Sequence, residues 1–60
     1  MTTWERNFKI LYYKNDHDKI NQNISVYWTK ATHFKQALEN WKIKFNAPED
    51  YLLSIDKLNN

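Results

Sequence analysis

The 60-residue chain contains no cysteine, no glycine and a single proline. Without cysteine there are no disulfides and no thiolate metal ligands, and two histidines alone cannot hold a structural zinc. Without glycine no Gly-rich phosphate loop can form, and left-handed turns fall to the next most tolerant residue. Asn15, Asn21, Asn23 and Asn46 are therefore the expected chain reversals. No apolar run approaches the roughly 18 residues that cross a bilayer. The segment MTTWERNFK also lacks the apolar stretch of a signal peptide, so the expectation is a cytoplasmic protein without a membrane partner. A charge of one sign is missing too: nine basic and seven acidic side chains leave a net +2. The lysines are scattered, which permits a nucleic-acid partner without requiring one and excludes a densely acidic DNA mimic.

Aromatic residues, at 17% of the chain, are abundant instead. A single small domain, residues 1–60, is expected, and a chain of this size buries only about 60% of the surface its unfolded form exposes. With no staple available, dense aromatic packing and self-association are the remaining sources of stability.

Residues 4–14, WERNFKILYYK, alternate as a strand, with Phe8, Ile10 and Tyr12 on one face and Lys9, Leu11 and Tyr13 on the other. The polar segment NDHDKINQN reads as a long hairpin loop, too short for an element of its own. ISVYWTK forms the second strand, from Ile24 to Lys30, with Ile24, Val26 and Trp28 opposite Ser25, Tyr27 and Thr29. The first set is uniformly apolar and is assigned to the core.

From Thr32, a fitting N-cap, the period changes. Phe34, Ala37, Leu38, Trp41 and Phe45 make a helical stripe, and Asn46 before Pro48 stops it. Ile43 lies on the opposite side of that helix. The tail APEDYLLSIDKLNN fits a helix or a strand; the strand is preferred because a hairpin under one helix makes a poor minimal core. The expected fold is α+β, strand-strand-helix-strand, with a three-stranded antiparallel sheet in order 2-1-3 and the helix across one face. Its expected core is Phe8, Ile10, Ile24, Val26, Trp28, Phe34, Leu38, Trp41, Phe45, Leu53 and Ile55.

Asp16-His17-Asp18 offers metal-ligand chemistry, but neighbours in a loop rarely converge on one ion, and a solvated turn is the expected state. His33 is expected on the surface. No Ser or Lys has an activating partner, so neither an enzyme nor a cofactor is expected. The outer sheet face is the candidate site: Lys9, Leu11 and Tyr13 beside Tyr27 and Thr29, apolar bodies with polar tips. Such tyrosines suit a solvated sheet or a protein interface with another protein or a second copy of the chain. Alternatively, Tyr13 and Tyr27 stack on unpaired bases while Lys9, Lys14 and Lys30 meet phosphates, as in a weak single-strand binder. Asp56 on the same face favours the protein interface.

The succession FKILYY, ISVYWTKATHFKQALENW and YLLSIDKL resembles the small strand-strand-helix-strand accessory proteins of bacteriophages. The resemblance covers nearly the whole chain and is one of pattern. It implies a protein that binds a host protein, for example inhibiting a nuclease or a defence or replication enzyme in the host cytoplasm. The phage inhibitors of uracil-DNA glycosylase, which are homodimers, are similar in element order. Their acidic DNA-like surface is missing here, with Glu49 and Asp50 the only adjacent acidic pair, so none of their functional residues carries over.

Overall fold

The computed structural model describes residues 5–58. Strand β1 (Arg6–Tyr12) is followed by a short helix α1 (Asp16–Asn21), strand β2 (Ser25–Ala31), helix α2 (Phe34–Phe45), a 3-10 turn (Glu49–Tyr51) and strand β3 (Leu52–Lys57). Both outer strands pair antiparallel with β1, in order β2-β1-β3, and α2 packs on one face. The α+β fold and sheet order expected from the sequence are therefore present, including the third strand. The proposed start of strand one at Trp4 lies outside the described residues.

Local chemistry explains the boundaries. The link from β2 to α2 is Thr32 and His33 alone, so the helix must fold back at once over the strand it follows. His33, not Thr32, is the N-cap, its Nδ1 accepting from the Gln36 amide at 3.1 Å. Thr32 instead donates through both its amide and its hydroxyl to Gln36 Oε1. Asn46 ends α2 in the left-handed conformation, φ 49°, as its residue type suggests. The segment expected to be a plain loop contains α1, nucleated by Asn15, whose side chain accepts from the Asp18 amide. Its left-handed stop falls on Gln22, φ 58°, rather than on Asn21 or Asn23.

The buried centre consists of Phe8, Ile10, Tyr12, Ala31, Ala37 and Trp41, with Tyr27, Leu38, Phe45, Leu52 and Ile55 among the partly buried side chains around it. Five residues expected in the core are exposed: Ile24, Val26, Trp28, Phe34 and Leu53. The first three share one cause. The register sets Phe8 opposite Thr29, Ile10 opposite Tyr27 and Tyr12 opposite Ser25, which puts Ser25, Tyr27, Thr29 and Ala31 under the helix. The opposite phase would bury Lys30 with Trp28 and expose Ala31, which is fully buried. Leu53 is the extra residue of a bulge, because Leu11 faces Ser54 while Tyr12 faces Leu52. Phe34 is half exposed at the first turn of α2, yet its ring meets Phe8 edge-on at 5.2 Å.

Trp41 is the largest fully buried side chain, packed edge-on against Tyr12 at 5.8 Å. Its indole N–H has no hydrogen-bond partner among the described residues. Trp41→Ala should cost about 3–5 kcal/mol, against a total of roughly 3–9 kcal/mol for a chain of this length. Urea unfolding followed by circular dichroism should lose its cooperative transition in that variant. Trp41→Phe, which also removes the unpaired donor, should keep it.

Candidate interaction surface

The alternation that buries Tyr27 turns the other residues of β2 outward. Val26 and Trp28 stand on the open sheet face with Lys30, and Ile24 immediately precedes them. Across the ladder Leu11 lies opposite Val26 and Lys9 opposite Trp28, while Asp56 of β3 flanks Lys9 on its other side. Trp28 is 58% exposed and Ile24 54%, on a face that neither helix covers. The surface is thus an apolar band along β2 bordered by a lysine–aspartate pair.

Of the five site residues read from the sequence, Lys9 and Leu11 lie on this face, and Tyr13 follows β1 with its amide donating to the Tyr51 carbonyl at 2.8 Å. Tyr27 and Thr29, expected on this face, belong instead to the opposite, helix-covered side. The Tyr27 ring packs edge-on against Phe45 at 5.1 Å, and the Thr29 hydroxyl accepts from the Asn40 amide at 3.0 Å. Both are packing residues. Trp28, Val26 and Ile24 take their place, and the signal that identifies them is the alternation carried to the end of the strand, where Lys30 is in phase with Trp28 and Ala31 with Tyr27.

Backbone direction adds a second property. The Asn7 carbonyl accepts from the Leu58 amide, so the odd residues of β1 turn their backbone toward β3 and the even residues toward β2. Ser25, Tyr27 and Thr29, opposite those even residues, spend their amides and carbonyls on β1. Val26, Trp28 and Lys30 therefore direct theirs to the free edge. The Lys30 carbonyl agrees with this, accepting from the Asn40 side chain on α2 at 3.3 Å.

At one end of the sheet α1 is tied down by Tyr51, whose hydroxyl donates to Asp16 while Lys19 lies over its ring. The Asp16-His17-Asp18 run forms the first turn of this helix, with Asp16 and His17 exposed and Asp18 partly buried, and no group of three potential metal ligands occurs among the described residues. His33 is exposed, as expected. No helix among the described residues is long and apolar enough to cross a membrane. Compared with protein-family models, curated proteins and solved structures, the chain matches none.

Two tyrosines titrate above their ordinary value of 10.0. The Asp16 hydrogen bond, reinforced by partial desolvation and nearby carboxylates, raises Tyr51, and burial beside Tyr27 raises Tyr12. A phenol raised on folding stabilises the fold below its unfolded pKa and loses that contribution as pH rises through the folded value. Stability should therefore hold up to pH 10.0 and fall above it. In Tyr51→Phe the amides of α1 should exchange faster at neutral pH, measured by hydrogen exchange, while the alkaline loss owed to Tyr12 persists.

The two phases of β2 also separate by mutation. Tyr27→Ala should destabilise by about 2–4 kcal/mol through lost packing, whereas Trp28→Ser should stay within about 0.5 kcal/mol, as surface changes do. Denaturant midpoints of the two variants check this.

Proposed function

We propose that this protein is a non-enzymatic binding module that recognises another protein through the open face of its sheet. The exposure of Trp28 beside Val26, Ile24 and Leu11 carries the reading. Tryptophan is among the commonest anchors of protein interfaces, where a large rigid ring fills a pocket on the partner. The flanking Lys9 and Asp56, one charge of each sign, suit a polar rim around an apolar centre. An inhibitor or modulator of a host enzyme, the role implied by the resemblance to phage accessory proteins, is the specific form of this reading.

One observation favours a second reading. Trp28 stands beside Lys9 across the ladder and two residues from Lys30 on the same face, an aromatic ring between two cations as in single-strand binders. Asp56 offsets one of those cations and Val26 and Ile24 offer bases no polar contact, so the protein partner is the better fit.

Affinity capture from the native cell distinguishes them. A protein retained by the wild type and lost with Trp28→Ala, but kept with Lys9→Gln and Lys30→Gln, supports the first reading. Retention by Trp28→Ala would sink it. For the second, single-stranded DNA should bind, and its affinity should fall by one to two logarithmic units per roughly tenfold salt increase if Lys9 and Lys30 meet phosphates.

A further inference from the structure

The two edges of the sheet are not alike. β3 is interrupted by the bulge at Leu53 and ends in Asp56 and Lys57, features that discourage a second strand from pairing there. β2 pairs with β1 over seven residues with no bulge, contains no proline and has Lys30 as its only charge. Helix α1 is anchored to Tyr51, next to β3, and α2 reaches this edge with the Asn40 contact to the Lys30 carbonyl. The amides and carbonyls of Val26 and Trp28 are therefore directed outward from a regular, mostly uncharged strand.

We propose that two copies of this chain pair antiparallel through the free edges of β2, on a two-fold axis at Tyr27, forming a continuous sheet of order β3-β1-β2-β2-β1-β3. The register follows from the free groups. With Tyr27 on the axis, Val26 of each copy lies opposite Trp28 of the other. These are the residues whose backbone points outward, so each such pair exchanges N–H and C=O in both directions. The same register sets Ser25 opposite Thr29 on the helix side and Ile24 opposite Lys30 on the open side, so no two like charges meet. In this register the Lys30 carbonyl, which accepts from Asn40, falls at the outermost pair, opposite Ile24, whereas centring on Trp28 would bring it nearer the axis, opposite Val26.

The strand is thus self-complementary: the apolar pairs Val26 and Trp28 zip along the outer face while Tyr27 meets its copy beneath the helices. The occupant is a second copy because in this register apolar Val26 meets apolar Trp28, Ser25 meets Thr29, and the only charge of each edge, Lys30, is kept from its copy at opposite ends of the pair. This goes beyond the proposed function, since the contact is the strand edge and the open face remains available, doubled in area, for another protein.

Sedimentation or light scattering of the full chain tests the inference. The mass should rise with concentration from 7.4 kDa toward twice that value. Val26→Pro removes an amide that β1 does not use, so it should keep the circular dichroism of the wild type and weaken association at least tenfold. Lys57→Pro, on the other edge, should leave association unchanged. Trp28→Lys, which needs no backbone change, should weaken it as Val26→Pro does.

A mass fixed at the monomer value up to about 1 mM would overturn the proposal. So would association that survives both β2 variants, or that is lost with Lys57→Pro. A monomeric wild type that still captures a protein through Trp28 would refute the edge pairing and leave the open-face reading intact. A dimer that captures nothing would do the reverse.

Discussion

The two-residue link between β2 and α2 constrains the rest of the structure. With only Thr32 and His33 between strand and helix, α2 must lie back over the sheet immediately, and the residue that ends β2 must fit beneath its first turns. Ala31 does so, fully buried with Ala37. Because side chains alternate, burying Ala31 also commits Thr29, Tyr27 and Ser25 to the helix side and Lys30, Trp28 and Val26 to the other. The double bond from Thr32 to Gln36 Oε1 and the His33 cap hold that link closed. One small side chain at the right position thus decides which aromatic of β2 folds the chain and which is displayed.

That commitment leaves a core of modest size filled by aromatic contact. Tyr12 touches both Trp41 and Phe45, and Phe45 touches Tyr27, so the rings form a connected set from β1 through α2 to β2. Edge-on and tilted ring pairs of this kind add about 0.5–1.5 kcal/mol each beyond their burial. By contrast the Lys42–Glu49 ion pair joining α2 to the 3-10 turn is half exposed and contributes about 1 kcal/mol or less. One part of the remaining apolar surface is contiguous. Ile24, Val26 and Trp28 lie together at β2, where an open face and an open edge meet, while Ile20, Phe34, Ile43 and Leu53 stand singly on other elements.

Much of this was legible in the sequence. The change from alternation to a helical stripe located α2, Asn46 stopped it, and the need for a third strand resolved the tail correctly. The sheet order followed from the element order. The phase of β2 is opposite to the one expected because both of its faces are tolerable: Ile24, Val26 and Trp28 outrank Ser25, Tyr27 and Thr29 in hydrophobicity, and the deciding residues, Lys30 and Ala31, stand at its end. The more apolar set is the displayed one. Helix α1 is not legible because its six residues, DHDKIN, contain one apolar side chain, the exposed Ile20, and so no apolar stripe. Its hold on the fold comes from Tyr51, 35 residues away from Asp16 in the chain.

The face exposed by β2 therefore depends on one geometric fact, that Tyr27 points to the helix and Trp28 away from it. A nuclear Overhauser spectrum of the full chain measures this directly. Cross-peaks are expected from the Tyr27 ring to the Phe45 ring and from Trp28 to the side chains of Leu11 and Lys9. Cross-peaks from the Trp28 indole to Trp41 or Leu38 would contradict it.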